Sequence, residues 1–151
     1  MKTLEEQVRE IVDREEIKEL TAKYAHWVAL GEGAKVAQLF TDDGAFINEV
    51  MGQKPNIDVH GRQQLDEFYP RLKRGMALPC IHNHIIEING DNAKGTCTIE
   101  VRITQNNQSI IGSGYYADTY RRVNDQWKFA ERHAYFYHFV PLLKGWTENS
   151  W

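Results

Sequence analysis

Two histidines stand on the apolar side of a predicted strand. In residues 81–88, alternation places His82 and His84 on the same side as Ile86 and Ile88. An imidazole titrates near neutral pH and can carry a proton between two atoms of a bound molecule. Because a buried imidazole is costly unless it is hydrogen-bonded, we expect these rings to meet protein, water or ligand. The pattern predicts a small-molecule cavity.

Each histidine has a functional and a structural interpretation. His82 is a candidate catalytic base, or else a histidine bonded to a backbone carbonyl or a helix end. His84 would flank the same cavity, although a structural or interface role is favoured for it. A zinc centre needs three or four protein ligands, and the spacing places no third ligand. Cys80 and Cys97 fit neither a metal spacing nor a disulfide framework. We therefore expect no metal and no other cofactor.

A tyrosine lies on the apolar stripe of the predicted N-terminal helix. Tyr24 is either a group that contacts ligand or a core residue with its hydroxyl at the rim, because a buried phenol needs a hydrogen-bond partner. Trp27, one turn further on, is predicted to form a wall of the cavity.

The last predicted strand supplies further candidates. Glu131, His133 and Tyr135 share their alternation with Trp127 and Phe129, so His133 and Tyr135 are predicted to face the cavity and Glu131 could do so. A β-bulge would reverse this assignment. In the alternative interpretation, which is favoured for Glu131, Glu131 is solvated and His133 packs at the open rim.

Other residues have simpler roles. Asn48 and Tyr115 are predicted as polar contacts at the edge of the cavity, and Val101 as part of its wall. Asp118 and Arg132 lie on neighbouring antiparallel strands, so a structural ion pair is favoured over catalysis.

Helices are predicted in the first half of the chain. Thr3 and Glu6 form a capping-box signature that begins a long helix, which Gly31 and Gly33 end. Its apolar stripe consists of Val8, Ile11, Ile17, Leu20, Tyr24, Trp27 and Val28. A second helix carries Val36, Leu39 and Phe40. A third follows Gly61, and Pro70 should interrupt it.

Strands dominate the second half. Residues 41–44 predict a turn into a strand over 45–50, followed by a loop over 51–58. Beyond Cys80, turn sequences lie at residues 89–92, 106–107 and 124–125. These three turns divide the rest of the chain into four long strands. Gly112 and Gly114 are predicted bulge or bend sites. Short turns predict an antiparallel meander, and helices segregated from strands indicate the α+β class.

Composition narrows the function classes. A chain of 151 residues fits one domain, and its net charge of -3 argues against nucleic acid and anionic membranes as partners. No apolar run approaches the length of a transmembrane helix. The N-terminal sequence lacks the basic start and apolar centre of a signal peptide, which predicts a soluble cytoplasmic protein.

This order of elements, with several short sequence matches, resembles the SnoaL-like branch of the nuclear transport factor 2-like superfamily. The matching segments are residues 13–20, 23–25, 39–45, 89–93, 114–122 and 127–132. The resemblance implies a cone-shaped fold, with a long helix and two shorter helices packed on the concave face of a strongly curved sheet.

The resemblance also implies site residues. Dehydratases and a dehydrochlorinase of this superfamily use a strand histidine as the base, at the position of His82, and some use a tyrosine at the position of Tyr24. The carboxylates that accompany this histidine correspond to Ala29 and Val101 here. The usual pair of histidine and carboxylate is therefore missing.

Three hypotheses about function follow. The first is a cofactor-independent lyase or isomerase acting on an apolar oxygenated ring compound of polyketide, terpenoid or steroid type, with His82 moving the proton. The second is a non-catalytic binding protein for a small apolar ligand. The third is an interaction subunit, like the β subunit of ring-hydroxylating dioxygenases. The apolar segment 139–146 should close the cone or dock on a neighbouring subunit, so we expect a homo-oligomer, either a dimer or a trimer.

Overall fold

Three helices and six strands form the part of the chain that this computed structural model describes, residues 1–143. The helices are α1 (Leu4–Leu30), α2 (Gly33–Gln38) and α3 (Gly61–Phe68), and a 3₁₀ turn (Tyr69–Arg71) follows α3. The strands are β1 (Phe40–Val50), β2 (Ile57–His60), β3 (Ala77–Asn89), β4 (Asn92–Gln105), β5 (Gln108–Val123) and β6 (Gln126–Pro141). The predicted α+β class is confirmed.

The N-terminal helix begins and ends as predicted. The hydroxyl of Thr3 accepts from the backbone N–H of Glu6, and the Thr3 N–H donates to the Glu6 carboxylate. Gly31 ends the helix with φ 72°. Although α1 has 27 residues, no helix within residues 1–143 is apolar enough over a sufficient length to cross a membrane.

The predicted stripe of α1 is only partly buried. Burial begins at Asp13 and continues through Ile17, Tyr24 and Val28, whereas Val8 and Ile11 are more than half exposed. The prediction was wrong for Val8 and Ile11, because the first turns of α1 have no partner within the described residues that buries them. The homo-oligomer that we expect would cover such a surface, and it stays a prediction.

The six strands form one sheet in the order β2-β1-β6-β5-β4-β3. All neighbouring strands are antiparallel except β1 and β6, which are parallel. The predicted meander from β3 to β6 is confirmed, and its turns have positive φ at Gly90, Asn106, Asn107, Asn124 and Asp125.

Two local predictions were incomplete. The loop predicted to reach Asp58 instead ends in β2, whose His60 pairs with Ala45 of β1. The turn predicted at residues 41–44 lies inside β1 as an irregularity between Phe40 and Ala45. The helix interruption at Pro70 is confirmed, because α3 ends at Phe68 and a 3₁₀ turn contains the proline.

A bulge in β3 determines which side chains face the core. His82 pairs with Thr98, but Ile85 pairs with Thr96, so the register shifts between them. Asn83 has φ 52° at this point, a left-handed conformation that asparagine tolerates. As a result, Ile81 before the bulge packs against the core, and the side chains that face inward afterwards are His84 and Ile86.

Two bulges in β6 act in the same way. Tyr120 pairs with Phe129 and Thr119 with Glu131, which leaves Ala130 unpaired. Phe129 therefore faces inward before the bulge and Arg132 after it. The second shift lies at Gly114, a predicted bulge site, where a Cβ atom would come within 1.9 Å of the Tyr135 carbonyl oxygen.

The predicted ion pair between β5 and β6 is present, and it lies in the centre of the core. Asp118 is opposite Arg132, and the two side chains are fully buried. The Arg132 Nε and Nη2 atoms donate to the carboxylate oxygens over 3.0 and 2.9 Å. The guanidinium also lies 4.4 Å from the ring centre of Tyr24 and 3.8 Å from that of Tyr116.

Removing the acid of this pair should destabilise the fold. We expect Asp118→Ala to lower the free energy of unfolding by about 3–5 kcal/mol, because Arg132 would stay buried without its partner. Urea unfolding measures the change.

The matched control is Glu87→Gln, which breaks an exposed pair with Lys94 and should cost less than about 1 kcal/mol. Equal losses in the two variants would contradict a central role for the buried pair.

Candidate functional site

A cavity of about 450 Å³ lies between the helices and the inner face of the sheet. Its walls are mainly apolar and come from α1, α3, the 3₁₀ turn, the loops next to them and all six strands. The apolar lining residues include Val28, Phe46, Ile57, Phe68, Leu72, Ile99, Val101, Ile103, Phe136 and Phe139. This cavity is the one that the sequence predicted, although its polar groups differ from those expected.

A pair of tyrosine hydroxyls lies on the buried side of the cavity. The Oη atoms of Tyr24 and Tyr69 are 3.2 Å apart, and both residues are almost fully buried. Each phenol has one proton, so the pair uses one in its own hydrogen bond and leaves the other for a ligand. Burial raises the pKa of both hydroxyls. The pair is therefore neutral at physiological pH and acts as a hydrogen-bond donor rather than a base.

A third tyrosine completes this region. Tyr116 lines the cavity, and burial raises its pKa well above the usual value. The Arg132 guanidinium packs against the rings of Tyr24 and Tyr116, and its Nη1 atom has no hydrogen-bond partner within residues 1–143. The ion pair thus fixes the positions of the two rings that form this wall.

The open end of the cavity has different chemistry. Asn48, which is buried, donates from its amide to the Asn56 side chain over 2.7 Å. Arg71 and Gln105 line the cavity and are also exposed, so they mark its mouth. Phe139 lines the cavity as well. Phe139 belongs to the predicted closing segment 139–146, of which residues 144–146 lie outside the described residues.

The lining residues, all within residues 1–143, include neither a histidine nor a carboxylate. Proton abstraction from carbon needs a base within hydrogen-bond reach of the proton. Val101 does face the cavity, as predicted, and its side chain is apolar. No lining side chain is therefore a conventional general base.

His82 does not face the cavity. Its side chain is 52% exposed, and its Nε2 atom lies 3.9 Å from the carboxylate of Glu100 on the outer face of the sheet. The sequence prediction was wrong about this orientation because the bulge at Asn83 reverses the alternation of β3. Glu100 also points away from the core.

His84 faces inward, as predicted, but bonds to the core rather than lining the cavity. Its Nε2 atom lies 3.0 Å from the hydroxyl of Tyr120, which donates its only proton to Asp118 over 2.8 Å. His84 must then be the donor to Tyr120. Burial lowers the pKa of His84. This histidine extends the polar network of the buried ion pair.

The remaining candidates on β5 and β6 lie on the outer face. His133 bonds through Nε2 to Glu49 over 2.8 Å and stacks on Tyr135, which in turn stacks on Tyr115. The prediction that His133 and Tyr135 face the cavity was wrong, because the bulge at Ala130 turns them outward. The same bulge turns Glu131 outward, in line with the alternative that was favoured for it. Tyr115 was also misplaced, since it lies on the strand face opposite to the inward Tyr116.

Trp27 does not line the cavity either. It is partly buried and lies beside Lys35 on the other side of α1. Val28, four residues after Tyr24, occupies the position that faces the cavity.

Sequence reasoning missed five polar residues that line the cavity. They are Asn56, Tyr69, Arg71, Gln105 and Tyr116. Tyr116 shares its alternation with Asp118, but the ion pair predicted for Asp118 did not indicate which face of β5 turns inward. Among the described residues, no cluster of three or more His, Cys, Asp or Glu side chains could hold a metal ion.

Comparison with known proteins identifies the fold. Residues 9–133 match the family described as the SnoaL-like domain. No curated protein matches the sequence significantly. A variant of Rv3472 from Mycobacterium tuberculosis, a protein of unknown function, is 28% identical, with a TM-score of 0.68 over 97% of this chain and 81% of that one.

Two further solved structures share the fold at lower identity. A scytalone dehydratase-like protein from Novosphingobium aromaticivorans is 20% identical, with a TM-score of 0.75 over 87% of this chain and 89% of that one. A hexachlorocyclohexane dehydrochlorinase, LinA-type3 from Novosphingobium barchaimii, is 19% identical, with a TM-score of 0.74 over 90% of this chain and 94% of that one.

The environment of His84 predicts an unusual titration. Because burial disfavours its cation, we expect its native pKa to lie below the ordinary value of about 6.5. Neutral His84 then contributes fully to the stability of the fold when the pH is above the pKa that this residue has in the unfolded chain. This contribution declines as the pH falls below about 6.5. Nuclear magnetic resonance titration of the imidazole protons, assigned with His84→Gln, measures the pKa.

Urea unfolding between pH 7.5 and pH 5 checks the linked stability. Wild type should lose more stability than His84→Gln over this range. A His84 ring that titrates at or above the ordinary value would contradict the assignment.

Proposed function

The chain belongs to the SnoaL-like domain family, and from this membership and the geometry of the cavity we propose that it binds a compact apolar molecule bearing an oxygen acceptor. The observation that carries this proposal is the apolar cavity with a neutral pair of hydroxyls, Tyr24 and Tyr69, on its buried side. A volume of about 450 Å³ lies in the range of sites for small organic ligands.

The hydroxyl pair suggests how such a ligand is oriented. A carbonyl, ether or hydroxyl oxygen would accept the proton that the pair does not use internally, and the ring would fill the apolar part of the cavity. An oxygenated ring compound of polyketide, terpenoid or steroid type has this combination. A pure hydrocarbon would leave the donor unpaired in an apolar site.

Binding without turnover is the function that the geometry supports best. An elimination that begins with proton abstraction requires a base, and the cavity lining supplies only hydroxyls, amides and a guanidinium among its polar side chains. The phenols are poor bases because burial raises their pKa. The role predicted for His82 has no support from its position on the outer face.

A lyase is the second candidate. The fold neighbours include proteins named as a dehydratase and a dehydrochlorinase, which supports a lyase-type role at the level of the fold. Tyr24 and Tyr69 could polarise a substrate carbonyl and stabilise a developing oxyanion. The third hypothesis, an interaction subunit, predicts that the fold contains no usable cavity. The open cavity therefore counts against it.

Filling the cavity should abolish binding. We expect Val101→Trp to lower the affinity for the neutral fluorescent ketone prodan at least about tenfold, because the indole would occupy the space of the ligand. Fluorescence titration measures the affinity.

The matched control is Arg102→Trp, which places the same side chain one residue later on the exposed outer face. An equal effect of the two substitutions, or no binding to wild type, would contradict the proposed site.

A turnover assay separates the two candidate functions. We expect hydroxyketones incubated with the protein to bind and be recovered intact, as seen by mass spectrometry, because no lining side chain within residues 1–143 is a histidine or a carboxylate that could act as the base. Loss of water from the compound would instead select the lyase.

In that case Tyr24→Phe should slow turnover about 100-fold. His82→Ala should leave it unchanged, because His82 lies outside the cavity. A loss of activity on His82→Ala would restore the original assignment of the base.

A further inference from the structure

The mouth of the cavity carries positive charge without a partner. Arg71, the last residue of the 3₁₀ turn, both lines the cavity and is exposed, and Lys73 and Arg74 lie in the exposed loop that follows. Within residues 1–143, none of these three side chains forms an ion pair or a hydrogen bond. The whole chain has a net charge of -3, so this loop differs in sign from the protein as a whole.

Acidic side chains on the neighbouring elements are already engaged. Asp58 of β2 pairs with His60, and Asp66 of α3 pairs with Arg62. Glu67 of α3 accepts from Gln63, and Glu32, before α2, pairs with Lys35. These contacts leave Arg71 without a neutralising partner among the described residues.

The C-terminus of α1 accounts for only part of this charge. The Gly75 N–H donates to the Ala29 carbonyl, so the loop lies beside the negative end of the helix, where cations are favourable. This placement suits Lys73 and Arg74. It does not explain why Arg71 lines the cavity.

The buried side of the cavity and its mouth differ in their electrostatic character. The buried polar groups that line it are phenols and an amide, and the nearby cation Arg132 is matched by Asp118. An anion placed there would lose its hydration without gaining an unpaired cation, which is costly. At the mouth, the same anion would meet a guanidinium, whose fork of N–H donors fits carboxylate, sulfonate and phosphate groups.

We infer that the ligand of the cavity is amphipathic. Its apolar ring would lie inside the cavity, and its anionic group would lie at the mouth against Arg71. This inference rests on the proposed binding function and adds the charge of the ligand to it. Lys73 and Arg74 contribute through the positive potential of their loop rather than through a fixed contact.

Two dyes that share a ring system test the inference. Anilinonaphthalene sulfonate carries an anion, whereas phenyl-naphthylamine has the same rings and no charge. We expect wild type at low salt to bind the sulfonate about fivefold more tightly, the size expected for one exposed charge pair. Added salt should reduce this preference, because exposed charges are screened.

Substitutions at the mouth locate the effect. Arg71→Gln should bring the two affinities close to equality, and Arg71→Glu should reverse their order, while the affinity for the neutral dye stays constant. The control is Arg102→Gln, which removes an exposed charge from the outer face of β4 and should leave the preference unchanged.

The possible outcomes test this inference and the proposed binding function separately. Equal affinities for the two dyes in wild type, or a preference insensitive to Arg71→Gln, would overturn the anionic ligand and leave binding in the cone intact. Failure of Val101→Trp to weaken either dye, or no binding at all, would overturn the proposed function and this inference with it.

Discussion

The buried pair of Asp118 and Arg132 is the interaction on which the cavity depends. Two charges inside a protein are stable only when their hydrogen bonds are satisfied, and here Tyr120 and the two guanidinium contacts supply them to the carboxylate. Asp118 and Arg132 are directly opposite each other on the two strands, so their contact also fixes the register of β5 against β6. Because the guanidinium packs on Tyr24 and Tyr116, the ion pair also positions these two rings in the wall of the cavity.

Bulges then decide which side chains the cavity receives. The shift at Asn83 moves His82 to the outer face, and the shift at Ala130 does the same for His133 while it turns Arg132 inward. A single extra residue exchanges the two faces of a strand. The chemistry inside the cone therefore changes from imidazoles, as alternation predicts, to phenols and amides.

Local signals were sufficient for most of the fold but not for the site. The capping box at Thr3, the asparagine turns and the interruption at Pro70 each depend on a few neighbouring residues, and these predictions are confirmed. The face on which His82 lies depends on where β3 shifts against β4, which packing across the whole sheet decides. Asn83 could have indicated the bulge, because asparagine tolerates positive φ. The prediction instead assumed that alternation continues without interruption through residues 81–88.

The missing base and the charged mouth favour the same kind of function. A cavity that keeps its phenols neutral can discriminate by shape and by one donated hydrogen bond, without a group that removes a proton from carbon. The positions where the family resemblance implies carboxylates hold Ala29 and Val101, and neither side chain can ionise. On the proposed function, a ligand would gain affinity from the apolar walls and orientation from the hydroxyl pair. The guanidinium of Arg71 would then set which end of the ligand stays in water, because, among the described lining residues, it carries the unmatched charge.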